Sequence, residues 1–258
     1  MADPRLFRLR VVYHKLGRLA LLSHLEVARA LERTVRRAQL PFAVSQGFSP
    51  HMRIAFGAAL PVGVAGEREI FDLYLERYVP PEQALVALSD ASAPDLRCLA
   101  CEYVEPRDAA ASVAYPLSTY RAHLSFAPDD LSAPDTITVT RKRKEKTLVV
   151  ADFLVGELTL DGACATFALE AKPTGSLRPD VFLRACVDAY NDAAGKQADE
   201  LGEASATGKP SEASATGKPS GTSAIGKPSE ASASGKLGEP SEPLRIVSIA
   251  RTSQTAAL

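Results

Sequence analysis

The chain has 258 residues, of which 46% are apolar and 24% charged, the proportions of a soluble globular protein. It contains no run of 18 or more apolar residues, which argues against a membrane helix. Its N-terminus, MADPRLFRLRVVYHK, places arginines where a secretion signal needs an apolar core. Four cysteines without a disulfide-like framework add to this, and a cytoplasmic protein is expected. The formal net charge of −1 conceals a polarity: residues 1–60 carry ten Lys/Arg against three Asp/Glu, and residues 61–110 carry four against ten. A near-neutral protein of this kind can still turn a basic face to an anionic partner.

Residues 7–13 (FRLRVVY) alternate as a strand, with Phe7, Leu9 and Val11 on one face and Arg8, Arg10 and Val12 on the other. A polar turn, His14 to Arg18, follows. Ser23 with Glu26 three residues later is a capping box, and Leu22 and Val27 stand at hydrophobic-staple positions, so a helix begins at Ser23. It ends before Pro41. Val27, Leu31, Val35 and Ala38 form its apolar stripe, and Arg29, Arg33, Arg36 and Arg37 gather opposite. That basic side reads either as a solvated face with pairs such as Glu32–Arg36 or as a ridge that contacts phosphates.

Residues 42–45 suggest a short strand, and the loop Gln46-Gly47-Phe48-Ser49-Pro50-His51 has turn chemistry. Strands are expected over 53–60 and 69–77, a helix from Pro81 to about Asp90, and a strand over 96–104. Strand, helix, strand, strand, helix, strand is the order of a ferredoxin-like (βαββαβ) sandwich. The second half repeats it in degenerate form, with strands over 120–126, 136–144, 147–153 and 163–171. A helix from Pro179 with apolar Phe182, Ala185, Cys186 and Tyr190 and a strand over 244–251 follow; no helix is expected near 128–134. The expected architecture is therefore α+β, with two tandem ferredoxin-like units at 1–106 and at 116–190 plus 244–254. A connector spans 107–115. Residues 191–243 form an insertion with four nine-residue copies of the type EASATGKPS, whose composition cannot bury a core and reads as disordered.

Cys98 and Cys101 lie three apart on an expected strand, facing opposite sides, and no second pair follows, so neither a metal site nor any cofactor is read from them. The absence of a CxxxCxxC run also leaves no ligands for a radical-enzyme iron–sulfur cluster. His24 at the helix start and His51 at the loop end, with Arg18 and Arg53, read as structural residues, phosphate donors or an acid–base pair. Arg141, Lys142, Arg143, Lys144 and Lys146 form a second basic cluster, either a solvated turn or an anionic-partner contact.

Residues 19–25 (LALLSHL), 45–56 (SQGFSPHMRIAF) and 61–64 (PVGV) together resemble the radical SAM-linked protein family, a domain of unknown function associated with radical S-adenosylmethionine enzymes. Weaker matches are TRKRKEKT at 140–147 with Asp152, Leu177-Arg178-Pro179, and Ile249-Ala250-Arg251-Thr252. The resemblance implies association with a radical S-adenosylmethionine enzyme and makes RNA the partner to expect. The expected function is thus a non-catalytic RNA-binding or adaptor module in RNA modification or maturation. Arg29, Arg33, Arg36, Arg37, Arg141, Lys142 and Arg143 would hold phosphates, and Gln46, Ser49, His51 and Arg53 would contact substrate or partner. The alternatives are a metal-independent endoribonuclease using His24 and His51, and a protein–protein scaffold.

Overall fold

Alternating apolar residues make Phe7–Lys15 a strand (β1) whose Leu9, Val11 and Tyr13 are buried on one face. The computed structural model describes residues 6–141, 143–206 and 242–256. Helix α1 (His24–Arg37) starts on the expected reciprocal cap. The Ser23 hydroxyl accepts the Glu26 N–H at 3.4 Å, and the Glu26 carboxylate accepts the Ser23 N–H at 2.8 Å. Val27, Leu31 and Val35 are buried, and the helix closes through Gln39, which takes a left-handed φ of 55° and donates its N–H to the Arg36 carbonyl.

Strands β2 (Ile54–Phe56) and β3 (Val64–Leu75), helix α2 (Pro81–Ala91) and strand β4 (Cys98–Val104) complete the first half. Its strands run β4-β1-β3-β2, all pairs antiparallel, which is the ferredoxin-like arrangement. β2 is shorter than the strand expected over 53–60, and residues 42–45 contribute only isolated bridges, Phe42 to Leu75 and Val44 to Met52.

A four-residue helix, α3 (Ala111–Ala114), lies within the connector. The second half then contains β5 (Leu117–Leu124), β6 (Thr136–Arg141), β7 (Lys144–Val149), β8 (Leu154–Asp161), β9 (Cys164–Glu170), α4 (Pro179–Ala206) and β10 (Ile246–Thr255). Its strand order, β10-β5-β9-β8 with antiparallel pairs, repeats that of the first half. The β6–β7 hairpin occupies the sequence position of the first helix, and its Ile137 and Leu148 are buried in the second core. Strand β8 was not expected from the sequence. Gly156 takes a left-handed φ of 72° and the register slips between Val155 and Thr159, which breaks the alternation that would announce a strand.

The halves join through β10, which runs parallel to β3 over Ile249–Arg251 and Val64–Gly66, so one mixed sheet carries both. Each half keeps its own apolar cluster: Leu31, Phe71 and Leu88 belong to the first, Phe167, Phe182 and Leu183 to the second. On α4, Phe182 and Cys186 are buried as expected, whereas Ala185 and Tyr190 are only partly covered, and Leu183 and Val187 complete the inward face.

The chain divides into two units, Met1–Tyr190 with Leu244–Leu258, and Asn191–Pro243. Helix α4 runs on to Ala206. The remainder of the repeat insertion, 207–241, lies outside the described residues. Among the described residues no helix is long and apolar enough to cross a membrane.

Candidate functional site

The apolar stripe of α1 faces the core, so its four arginines are exposed on the other side, but they are not equivalent. Arg37 donates to the Ala91 carbonyl at 2.6 Å and to the Thr34 hydroxyl at 3.4 Å, tying α1 to the end of α2. Arg36 reaches Glu32 at 4.0 Å and lies 5.8 Å from the Phe42 ring centroid. Arg29 and Arg33 have no hydrogen bond or ion pair among the described residues.

The 46–51 loop is closed at its neck. Ser45 donates its N–H to the His51 carbonyl at 2.8 Å, and His51 donates its N–H to the Ser45 hydroxyl at 3.0 Å. Gln46, Ser49 and His51 are exposed, Gly47 takes a φ of 135°, and Phe48 projects fully into solvent. Arg53 is half-buried, its guanidinium 4.9 Å from the Tyr74 ring centroid. His24 packs edge-on against Phe56 at 5.2 Å. Phe56 ends β2 whereas His51 precedes its start, so the strand lies between the two histidines, and no hydrogen bond or ring contact joins them.

In the second half, Arg143 turns the β6–β7 hairpin with a left-handed φ of 64°, and Arg141 pairs with Lys144 in the ladder. Lys142 lies outside the described residues. Lys144 and Lys146 are exposed, and the Lys146 Nζ comes within 3.9 Å of where a Cβ on Gly175 would stand.

The groups that sequence reasoning missed are buried charges. Arg8 and Arg10, on the face of β1 opposite Leu9 and Val11, are 4% and 5% exposed and both clasp Asp72. Arg8 Nη2 lies 2.6 Å from Asp72 Oδ2, and Arg10 Nε lies 2.7 Å from Oδ1. Further donors of these arginines go to the Asp108 carbonyl at 2.7 Å and the Ala109 carbonyl at 2.9 Å, so the connector is a cover over this cluster. The Asp72 hydrogen bond is the main reason the Arg10 pKa is raised further.

A second cluster occupies the seam between the halves. Arg251, 2% exposed, donates Nε to Glu69 Oε1 at 2.9 Å and Nη2 to Glu69 Oε2 and to the Ala58 carbonyl, the latter at 2.6 Å. Burial opposes the charge on Arg251, but the Glu69 carboxylate outweighs it and the pKa is raised. Gly66 makes room for that carboxylate, since a Cβ there would fall 2.6 Å from Glu69 Cγ. Lys15, also 2% exposed, donates Nζ to the Ala20 carbonyl at 3.1 Å and the Leu22 carbonyl at 3.5 Å; burial lowers its pKa, with Glu69 acting in the opposite sense. Burial raises the pKa values of Tyr13 and Tyr120, which flank the pair. The available signal was a charge on an inward strand face: Glu69 shares its face with Phe71 and Leu73, and Arg251 shares its face with Ile249.

Two clefts border this seam. One, of about 20 Å³, is lined by Lys15, His24, Phe56 and Glu69; the other, of about 260 Å³, is lined by Arg251, Tyr120, Ser118, Arg178 and Glu170. Ala58 and Ala59 line both.

Cys98 and Cys101 differ from expectation. A bulge between Val12 and Tyr13 of β1 shifts the β4 register, so both cysteines turn toward the first core and do not point to opposite faces. Cys98 sits 3.7 Å from the Ser92 hydroxyl, Cys101 donates to the Pro81 carbonyl at 3.0 Å, and burial pushes both thiols up to about 11. They are protonated packing residues at neutral pH.

A family model described as "Uncharacterized protein conserved in bacteria (DUF2344)" matches residues 8–179, two thirds of the chain. The chain belongs to the DUF2344 family. The match runs from β1 of the DUF2344 chain to the first residue of α4, and so covers the α1 arginines, Glu69, the hairpin and Arg178, with Arg251 beyond its end. No curated protein matches the chain.

Proposed function

We propose that this DUF2344 chain is a cytoplasmic RNA-binding or adaptor module that serves a radical S-adenosylmethionine enzyme in RNA modification or maturation. One observation carries the RNA part: Arg29 and Arg33 are exposed on the side of a helix whose other side is buried, and neither makes a hydrogen bond or ion pair among the described residues. Such guanidinium groups are available to phosphates, whereas a paired one must first give up its partner. Arg36 and Arg37 extend the ridge with part of their donors committed. Arg141, Lys142 and Arg143 add a second basic stretch. The loop bearing Gln46, Ser49, His51 and the exposed Phe48, with Arg53 behind it, offers polar contacts and an aromatic surface for a base or a protein partner. Association with the radical enzyme rests on the resemblance of residues 19–25, 45–56 and 61–64.

The test is a gel-shift titration of the full chain with single-stranded RNA across salt concentrations. Binding at low salt that weakens steeply with added salt is expected. No binding at low salt would remove the RNA reading. An endoribonuclease using His24 together with His51 draws no support from their separation by β2.

A further inference from the structure

The charge polarity of residues 1–110 is displayed on two helices that share a surface. Helix α1 buries Val27, Leu31 and Val35 in the same apolar cluster as Ala84 and Leu88 of α2, so both helices lie on one side of the sheet. They meet where Arg37 donates to the Ala91 carbonyl. Outward, α1 shows Leu25, 68% exposed, followed at four-residue spacing by the exposed Arg29 and Arg33. Helix α2 contains no Lys or Arg and shows Glu82, Val86 and Asp90 at the same spacing, with Val86 61% exposed. Arg29, Arg33, Glu82 and Asp90 make no hydrogen bond or ion pair among the described residues. An open groove of about 460 Å³ lies between the helices, with Ala38, Ala87 and Ala91 in its lining.

A surface with a basic row beside an acidic row is complementary to itself. A two-fold axis along the groove sets α1 of each copy on α2 of the other, so basic row meets acidic row twice. The spacings agree. When Leu25 is seated against Val86 of the second copy, Arg29 stands one turn further along. It then faces Glu82 of that copy if the helices run antiparallel, and Asp90 if they run parallel. An RNA chain gains nothing from Glu82, Val86 and Asp90, whereas a second copy of the chain uses all three.

We propose that the chain self-associates as a reversible dimer, α1 of each copy lying on α2 of the other. Leu25 and Val86 form its two apolar contacts, and Arg29 with Glu82 or Asp90 forms the ion pairs that set its register. Ion pairs of this exposed kind select a partner more than they tighten it, so the dimer is weak and sensitive to salt. The inference does not rest on the RNA reading. It has a consequence for it, since a dimer that covers Arg29 excludes RNA from the α1 ridge.

The test is sedimentation velocity of the full chain, free of nucleic acid, over a rising concentration series at low and at high salt. Wild type is expected to pass from monomer to dimer with concentration, and added salt should shift it back. Arg29→Glu and Glu82→Arg/Asp90→Arg each set like charges opposite one another, and each should weaken the dimer about tenfold or more. Mixed in equal amounts, the two variants should associate as wild type does, because every reversed row then meets its complement. That recovery also shows that both variants are folded. The inference is overturned if wild type stays monomeric throughout, if either reversal leaves the dimer unchanged, or if the mixture fails to recover it. RNA binding by a chain that never dimerises would leave the RNA reading standing alone, and dimerisation without RNA binding would do the reverse, so the two fail separately.

Discussion

Asp72 and Glu69 lie three residues apart on β3, face opposite sides of the sheet, and both meet arginine in the interior, yet their surroundings differ. Asp72 is fully buried, takes two arginines from the adjacent strand β1, and lies beneath a connector whose carbonyls absorb further donors. Glu69 takes its arginine from β10, across the junction of the halves, with a cleft on either side. A buried pair enclosed by its own chain fastens a fold. A pair that borders clefts fastens the junction of two halves.

The largest expected effect breaks the enclosed cluster. Asp72→Asn strands two buried guanidinium groups and should cost about 5 kcal/mol in urea unfolding, the upper end for a broken buried pair. A loss below about 1 kcal/mol would mean that water reaches the site. Glu69→Gln strands one guanidinium beside a cleft, and about 3 kcal/mol is expected, with the double change Glu69→Leu/Arg251→Met recovering most of it. Additive losses in that double variant would contradict the pairing. Next comes Gly66→Ala, whose new methyl collides with Glu69; about 2 kcal/mol is expected, and the loss should shrink in a Glu69→Ala background.

A smaller effect concerns the helix start that carries His24 to the edge of the Glu69 cleft. Ser23→Ala should cost about 1 kcal/mol at pH 7. The Ser23 hydroxyl and N–H draw the Glu26 pKa below its ordinary value of 4.5, so the carboxylate's share of the cap is complete above that value. It is lost as pH falls through the lowered one. The gap between wild type and Ser23→Ala should therefore narrow in acid, leaving the share of the hydroxyl that accepts the Glu26 N–H, and a gap that widens there would refute the cap's role. Smallest is the exposed ridge: Arg29→Gln/Arg33→Gln should change stability by no more than about 0.5 kcal/mol, since both side chains are exposed and neither makes a hydrogen bond or ion pair among the described residues.

The same distinction explains what the sequence disclosed. The start of α1, its buried stripe and the order of the first half are local matters of capping, 3.6-residue period and turn residues, and all were legible. Alternation put Arg8 and Arg10 on one face of β1, but it gives the face of a side chain and not what covers it. Their cover, residues 105–109, lies about a hundred positions away. The cysteine faces and β8 were obscured by bulges, which shift alternation without changing composition. The Glu69–Arg251 seam joins positions 182 residues apart. It became visible only when β10 paired with β3.

For function, the decisive contrast lies within α1 itself, between Arg29 and Arg33, which make no hydrogen bond or ion pair among the described residues, and Arg37, which is bound to the Ala91 carbonyl. The most direct measurement is the salt dependence of RNA affinity for wild type, Arg29→Gln/Arg33→Gln and Arg37→Gln. The account predicts a logarithmic salt slope reduced by about two in the double variant and by less than one in Arg37→Gln. Equal slopes in all three proteins would show that the α1 ridge is not where RNA binds.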